Sequence, residues 1–458
     1  MSDGENRTDQ RLALGTGQAV ITPPVGCEMS GFVARKAHMQ GIHDDLYARA
    51  LVWSDGTDGE RMALLTLDVI ELDAPTVAAI RLRVSDLSGI SDDHVVVTAT
   101  HTHSGPSIME GRLGGHVDRA YLDFVIKAAA GAVATAANTM SPVTARFSIG
   151  HEPTVAKNRR VVGGTIDPDV PILRFESSDR TVRALLVSYA CHPVTLGPDN
   201  LLVTTDYPGF VVRTLEAMYP GAHVQFATGC SGQINTGHTA QDSIDRPSGE
   251  RRTFTEAARL GRAIAGAALQ ASEQGARPGG TPMAIVGEAN SGAGIRILRQ
   301  VIDLPLLPVE SPNRLREQAT VWRAEAARLE HQGSTTGDAL LLRAWAAWAE
   351  KTALDPSPQR STKAEVTVLS LGEVRIVVLP GEAFVELGLE IKERSGYPAT
   401  MVLAYANGCP GYIPHRSAYD SGGYEVSDSH RFYGYPAGFA PEAGERLVAE
   451  ALTLLSQI

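Results

Sequence analysis

The chain has 458 residues, a formal net charge of -11, 43% hydrophobic and 20% charged residues, the balance of a globular protein able to bury a sizeable core. An acidic surplus with no long lysine or arginine run gives phosphate backbones and anionic membranes little to hold, so the expected partner is a small molecule and not a nucleic acid. No apolar run approaches the roughly 20 residues of a membrane span, and the polar first residues lack a leader's apolar segment. Four scattered cysteines, Cys27, Cys191, Cys230 and Cys409, match neither a disulfide framework nor a zinc knuckle, and the expected location is cytoplasmic.

Short β-branched runs alternate with helical patterns along the chain, which predicts an α/β fold of mixed sheets flanked by helices. In chain order, strands are expected at 46–53, 62–68, 94–100, 143–147, 171–175, 183–190, 223–227, 364–369, 374–379 and 400–405, and helices at 74–84, 120–137, 210–218, 253–274 and 441–456. Residues 1–14 read as a flexible tail and 15–458 as one domain. From 312 to 354 the sequence turns rich in Ala, Leu, Arg and Glu with helical period, broken at 333–337. That predicts an inserted helical hairpin, serving as a lid or a homo-oligomer contact. Its tryptophans, Trp322, Trp345 and Trp348, read as packing residues. An order of strand, acid, helix, strand and polar turn occurs at 62–101 and again at 374–412, which fits a duplication or chance.

Three apolar strands end on side chains that dislike burial without a partner. The run VVVTA leads into His101 and His103, which share a face if the strand continues, because strand side chains alternate. The pair reads equally as metal ligands or as hydrogen-bonded structural histidines. RALLVSYA runs into Cys191, His192 and Pro193. Two strands delivering imidazoles suggest one shared cation, and catalytic zinc characteristically takes about three protein ligands and keeps a position for water. VRIVVLP ends in Gly381 and Glu382, either a carboxylate ligand or the first-turn acid of the next helix. Asp206 caps the helix starting near Pro208 or bonds His192. The following Gly-, Pro- and Tyr-rich stretch can lift Tyr412 or Tyr424 into a cleft or leave them on a rim.

Taken in order, QGIHDDLYARALV, ATHTHSGP, KNRR, ACHPV, TTDYPG, ATGCSGQIN, LPGE and GYIPHRSAYDSGGYE resemble the amidase domain of the neutral (non-lysosomal) ceramidases over most of residues 15–450. The resemblance implies Zn²⁺ ligands at His101, His192, Glu382 and Tyr412, with His103, Arg159 and Tyr424 contacting the scissile carbonyl or another substrate oxygen. Two departures stand out: Gly232 takes the place of a family serine, and the chain ends where the family continues into a β-sandwich. The expected function is therefore zinc-dependent hydrolysis of a linear amide (N-acyl) bond in a small or soluble substrate, with ceramide itself not expected. An ester or lactone hydrolase using the same zinc, and a binding protein with a structural zinc, are the alternatives.

Overall fold

The strand-forming runs build three sheets with one repeated pattern, described in a computed structural model for residues 12–35, 37–56, 60–109, 116–243, 249, 251–276, 284–287, 294–333 and 337–458. Residues 1–11 of the expected tail and 334–336 of the expected hairpin break lie outside the described residues. The first unit comprises β1 (Ala13–Val20), β2 (Tyr47–Ser54), β3 (Arg61–Leu67), α1 (Ala74–Ser88), β4 (Val95–Ala99) and α2 (Arg119–Asn138). The second comprises β5 (Thr144–His151), β6 (Asp169–Glu176), β7 (Val182–Tyr189), α3 (Tyr207–Met218), β8 (His223–Thr228) and α4 (Phe254–Ala276). In the third, β9 (Arg296–Pro305) is followed by a helical hairpin, α5 (Pro312–His331) and α6 (Asp338–Ala353), before β10 (Ser361–Leu371), β11 (Val374–Val378), α7 (Val385–Arg394), β12 (Thr400–Leu403) and α8 (Glu442–Gln457).

Within each unit the first three strands pair antiparallel and the fourth pairs parallel to the third across a helical crossover, as parallel neighbours require. The order foreseen at two places thus occurs three times. The second unit escaped the pattern of strand-end acids because the turn after its third strand carries a histidine, His192, in place of an acid.

Strand alternation explains the layers. Leu51, Trp53, Met62, Leu64 and Val96 meet Leu173, Phe175, Leu186, Leu369, Ile376 and Met401 in a core shared by all three sheets. The intervening Ala50, Val52, Ala63, Leu65, Val95 and Val97 pack with Ile80, Val84, Val125 and Val133 of the helices. Burial of each large side chain contributes about 1.5–3 kcal/mol. Strand β1, absent from the expected set, is weakly β-forming because of Gly15 and Gly17. They are required by proximity: a Cβ on Gly15 would fall 1.8 Å from the Ala136 carbonyl oxygen of α2. Helix α2 is the described helix long and apolar enough to cross a membrane by length and composition, which the sequence reading did not foresee; Tyr121, Leu122, Val125, Ala129 and Val133 are buried in the core.

The fourth strands meet at their tips. Ala99 N donates to Tyr405 O (3.0 Å), Ala404 N to Thr228 O (2.9 Å) and Thr228 Oγ1 to Thr100 O (2.7 Å). The turns that follow the fourth strands of the three units are thereby brought to one place.

Candidate metal centre

Strand β4 stops at Ala99, so His101 and His103 converge by a route other than strand alternation. His101 sits at φ +68, a left-handed conformation uncommon outside glycine, and its N–H donates to Val69 O (3.0 Å). This turn swings the imidazole inward. Its Nδ1 donates to Ile70 O at 2.7 Å. A carbonyl only accepts, so the proton is on Nδ1 and Nε2 is the inward atom. His192, in the turn after β7, repeats the device with Nδ1 donating to Ser231 O at 2.6 Å. Burial pushes the His101 ring down to a pKa of about 4 and keeps it neutral.

Both inward Nε2 atoms face one oxygen of Glu382: Oε2 lies 2.9 Å from His192 and 3.4 Å from His101. All three residues are at most 1% exposed. Ring lone pairs and a carboxylate oxygen this close in a buried site repel unless a proton or a metal cation lies among them, and imidazole with carboxylate is a donor set suited to zinc. Two further donors adjoin. His103 Nε2 is 3.3 Å from His101 Nε2, and Glu71, in the turn after β3, joins His101 and Glu382 with ligand atoms within 4.8 Å of one another.

Glu382 precedes α7, whose N-cap is Phe384, so the first-turn-acid reading does not hold. Instead Glu382–Ala383 forms a short parallel ladder with Tyr412–Ile413, in which Glu382 and Tyr412 are direct partners and project to the same side. Tyr412 lies nearly parallel to His192, 6.3 Å between ring centroids. Burial and the Glu382 charge push its phenol well above the usual range, opposed by Arg159. The Arg159 side chain is held inside, 7% exposed. Its Nη2 reaches Tyr412 OH (3.2 Å) and Gly232 O (3.0 Å), and its Nε reaches Glu425 Oε1 (2.7 Å). Glu425 also holds Arg160 Nη1 at 2.7 Å.

A cleft opens over this group, lined by His103, Arg159, Glu382, Tyr412, Tyr424 and Phe432 among others, with Tyr424 edge-on to Tyr412 at 5.5 Å. The structure thus gathers all seven residues singled out in the sequence. His103 Nδ1 donates to Gly31 O (2.9 Å), which leaves Nε2 toward the cleft. Asp206 caps α3, accepting from Tyr207 N (2.6 Å), while the His192 ring is held by backbone carbonyls. The QGIHDD motif supports the site from outside. Its Asp44 accepts from Thr204 Oγ1 (2.6 Å) and Thr205 N (3.0 Å), fixing the turn before α3.

Sequence reasoning missed Glu71, Tyr405, Glu425 and Tyr433. The Tyr433 hydroxyl donates to Glu382 Oε1 and lies 3.2 Å from Glu71 Oε1. Tyr405 stacks on His101 at 4.1 Å and bonds Ser231 Oγ (2.9 Å). The one available signal was position at a strand end, which Glu71 and Tyr405 share with the histidines. At Gly232 an added Cβ would lie 2.4 Å from Glu382 O, so this backbone excludes the serine that the resemblance led one to expect.

Three β-β-β-α-β-α units closing on a buried imidazole–carboxylate centre define a class of α/β protein, and comparison with known proteins says which. The profile described as "Neutral/alkaline non-lysosomal ceramidase, N-terminal" matches residues 12–243, and the chain belongs to that family. It is 26% identical to the neutral ceramidase of Drosophila melanogaster over 229 residues, 45% of this chain and 32% of that protein. To the neutral ceramidase of Mycobacterium tuberculosis it is 26% identical over 234 residues, 46% of this chain and 37% of that protein. The matched stretch therefore spans about a third of the length of these curated relatives. The fold is that of the neutral ceramidase from Pseudomonas aeruginosa, at a TM-score of 0.73 and 17% identity over 98% of this chain and 75% of that one. A ceramidase complexed with C2 gives the same TM-score, 0.73, at 16% identity, over 98% of this chain and 76% of that one. His101, Arg159 and His192 fall inside the residues matched by the profile; Glu382, Tyr412 and Tyr424 lie beyond them and stand on geometry.

Proposed function

We propose that this protein is a zinc-dependent hydrolase that cleaves a linear carbon–nitrogen (amide, N-acyl) bond of a small or soluble substrate. The observation that carries the reading is the approach of His101 Nε2 and His192 Nε2 to one Glu382 oxygen at the floor of a cleft. The names of the curated relatives, neutral ceramidases, support amide chemistry. His101, His192, Glu382 and Tyr412 would hold the ion. When bound, Zn²⁺ supplies Lewis acidity toward a carbonyl and makes water nucleophilic near neutral pH.

The remaining roles fall to this chain's own groups. Tyr424 offers its hydroxyl proton to the oxygen on which charge develops, a contact made more strongly in the transition state than in the bound substrate. His103 Nε2 accepts a proton and passes it to the leaving amine, its tautomer fixed by the Nδ1 bond to Gly31 O. Arg159, anchored by Glu425, steadies the Tyr412 oxygen and brings its positive charge to the cleft lining, toward a substrate oxygen. The test is hydrolysis of matched N-acyl amide and ester analogues by chelator-treated protein, with and without restored zinc. Amide cleavage that returns with zinc is the expected result. Cleavage indifferent to the metal, or of esters alone, would overturn it.

A further inference from the structure

The inserted hairpin packs its two helices through Leu315, Ala319, Ala346 and Ala349, with Trp322 and Trp348 packed against them, and its tryptophans also surround a cation. The Arg431 guanidinium lies 5.2 Å from the Trp322 ring, 4.5 Å from Trp345 and 5.2 Å from Trp348. Trp348 also donates Nε1–H to Tyr435 O (2.8 Å) and stands edge-on to His430, 5.2 Å between centroids. The hairpin therefore grips residues 430–435 at three points. Arg431's own ion pair, to Asp428 at 2.6 Å, is local and cannot fix this segment against the rest of the molecule.

The short helix that carries Arg431, Ser429–Tyr433, presents its other side to the centre. Phe432 lines the cleft and meets Tyr424 edge-on at 5.8 Å. Tyr433 donates to Glu382 Oε1, the carboxylate oxygen opposite the one faced by His101 and His192. Hydrogen bonds of this kind orient a metal-ligating carboxylate and tune its affinity. A cation held over an indole is attracted by the electron-rich face of the ring, and Arg431 meets three.

We propose that the tryptophan cage of the hairpin, by holding Arg431, is a positioning device for Tyr433 and through it for the Glu382 carboxylate. This rests on the reading of the centre as a zinc site. The residues of the cage touch no substrate; they set where Tyr433 can reach.

The test is Arg431→Met in the full chain, read by zinc affinity in competition with a chromophoric chelator and by kcat and KM separately, with circular dichroism as the check on folding. Zinc affinity is expected to fall about 10- to 100-fold, and less in Arg431→Lys, which keeps the cation. Because cage and tyrosine act in series, Arg431→Met should add nothing further in a Tyr433→Phe background. Wild-type zinc affinity in Arg431→Met, or a loss that adds in full to that of Tyr433→Phe, would overturn the proposal and leave the cage as packing. Should Arg431→Met not fold, Arg431→Lys and Trp345→Phe decide by the same comparison. A wild-type chain that binds no zinc would instead overturn the reading of the centre itself.

Discussion

The Arg159 guanidinium stands 3.2 Å from the Tyr412 phenol oxygen while its Nε is tied to Glu425 at 2.7 Å. A buried phenol beside a carboxylate resists ionising, so under the proposed zinc reading the adjacent fixed cation would make the Tyr412 oxygen a competent ligand. Replacing Arg159 by Met should lower kcat/KM on an amide substrate about 100-fold. Arg159→Lys should not restore it, since a point charge cannot span both partners. Steady-state kinetics of the two variants decide the matter; full activity in the lysine variant would contradict it.

Tyr424 lines the cleft beside Tyr412 without belonging to the imidazole–carboxylate cluster. Tyr424→Phe removes one donor and little volume. The expected outcome is a fall in kcat of about 100-fold with KM changed by no more than roughly 3-fold. A raised KM with kcat intact would reassign the residue to substrate binding.

At Gly232 the backbone leaves no room for a side chain, with Glu382 O 2.4 Å and Phe384 Cδ1 2.9 Å from an added Cβ. Gly232→Ser should cost about 1–3 kcal/mol of stability by overpacking and displace the backbone that carries Glu382. Denaturant unfolding measures the first effect and zinc affinity the second. A variant as stable as wild type, with enhanced amidase activity, would show that the serine is accommodated after all.

Asp68, 7% exposed, accepts from Tyr47 N at 2.8 Å, and burial, partly opposed by Arg49, pushes its carboxyl up to about 6. The folded pKa exceeds the unfolded one, near 3.9, so between about pH 4 and 6 the folded state holds more protons. Stability therefore falls as pH rises through that window, by an amount on the order of 3 kcal/mol at most. Asp68→Asn keeps an acceptor for Tyr47 N and removes the buried charge. It should be more stable than wild type at pH 7.5 by about 1–3 kcal/mol, with the gain vanishing near pH 4. Equal gains at both pH values would refute the assignment.

What the sequence made legible follows from where each residue lies. His101, His192 and Glu382 each end an apolar run, and a polar side chain delivered by a buried strand announces itself. The agent of convergence did not: the His101 turn depends on a positive φ that no residue type there advertises. Tyr412 meets Glu382 only through a ladder closed across a helix and a strand, a pairing no local pattern encodes. Glu71 and Tyr433 carry no motif, and their role appears only when turns of the first and third units touch. Of the hairpin, period and composition gave its helices. That its tryptophans enclose Arg431, which follows Trp348 only after β10, β11, α7, β12 and the Glu382–Tyr412 ladder, was beyond reading from composition.

The most direct test is the metal content of the purified chain. Elemental analysis should find about one Zn²⁺ per wild-type molecule, none in His192→Ala or Glu382→Ala, and loss of amide hydrolysis in step with loss of metal. A wild-type protein without stoichiometric metal, or variants that keep it in full, would contradict the account.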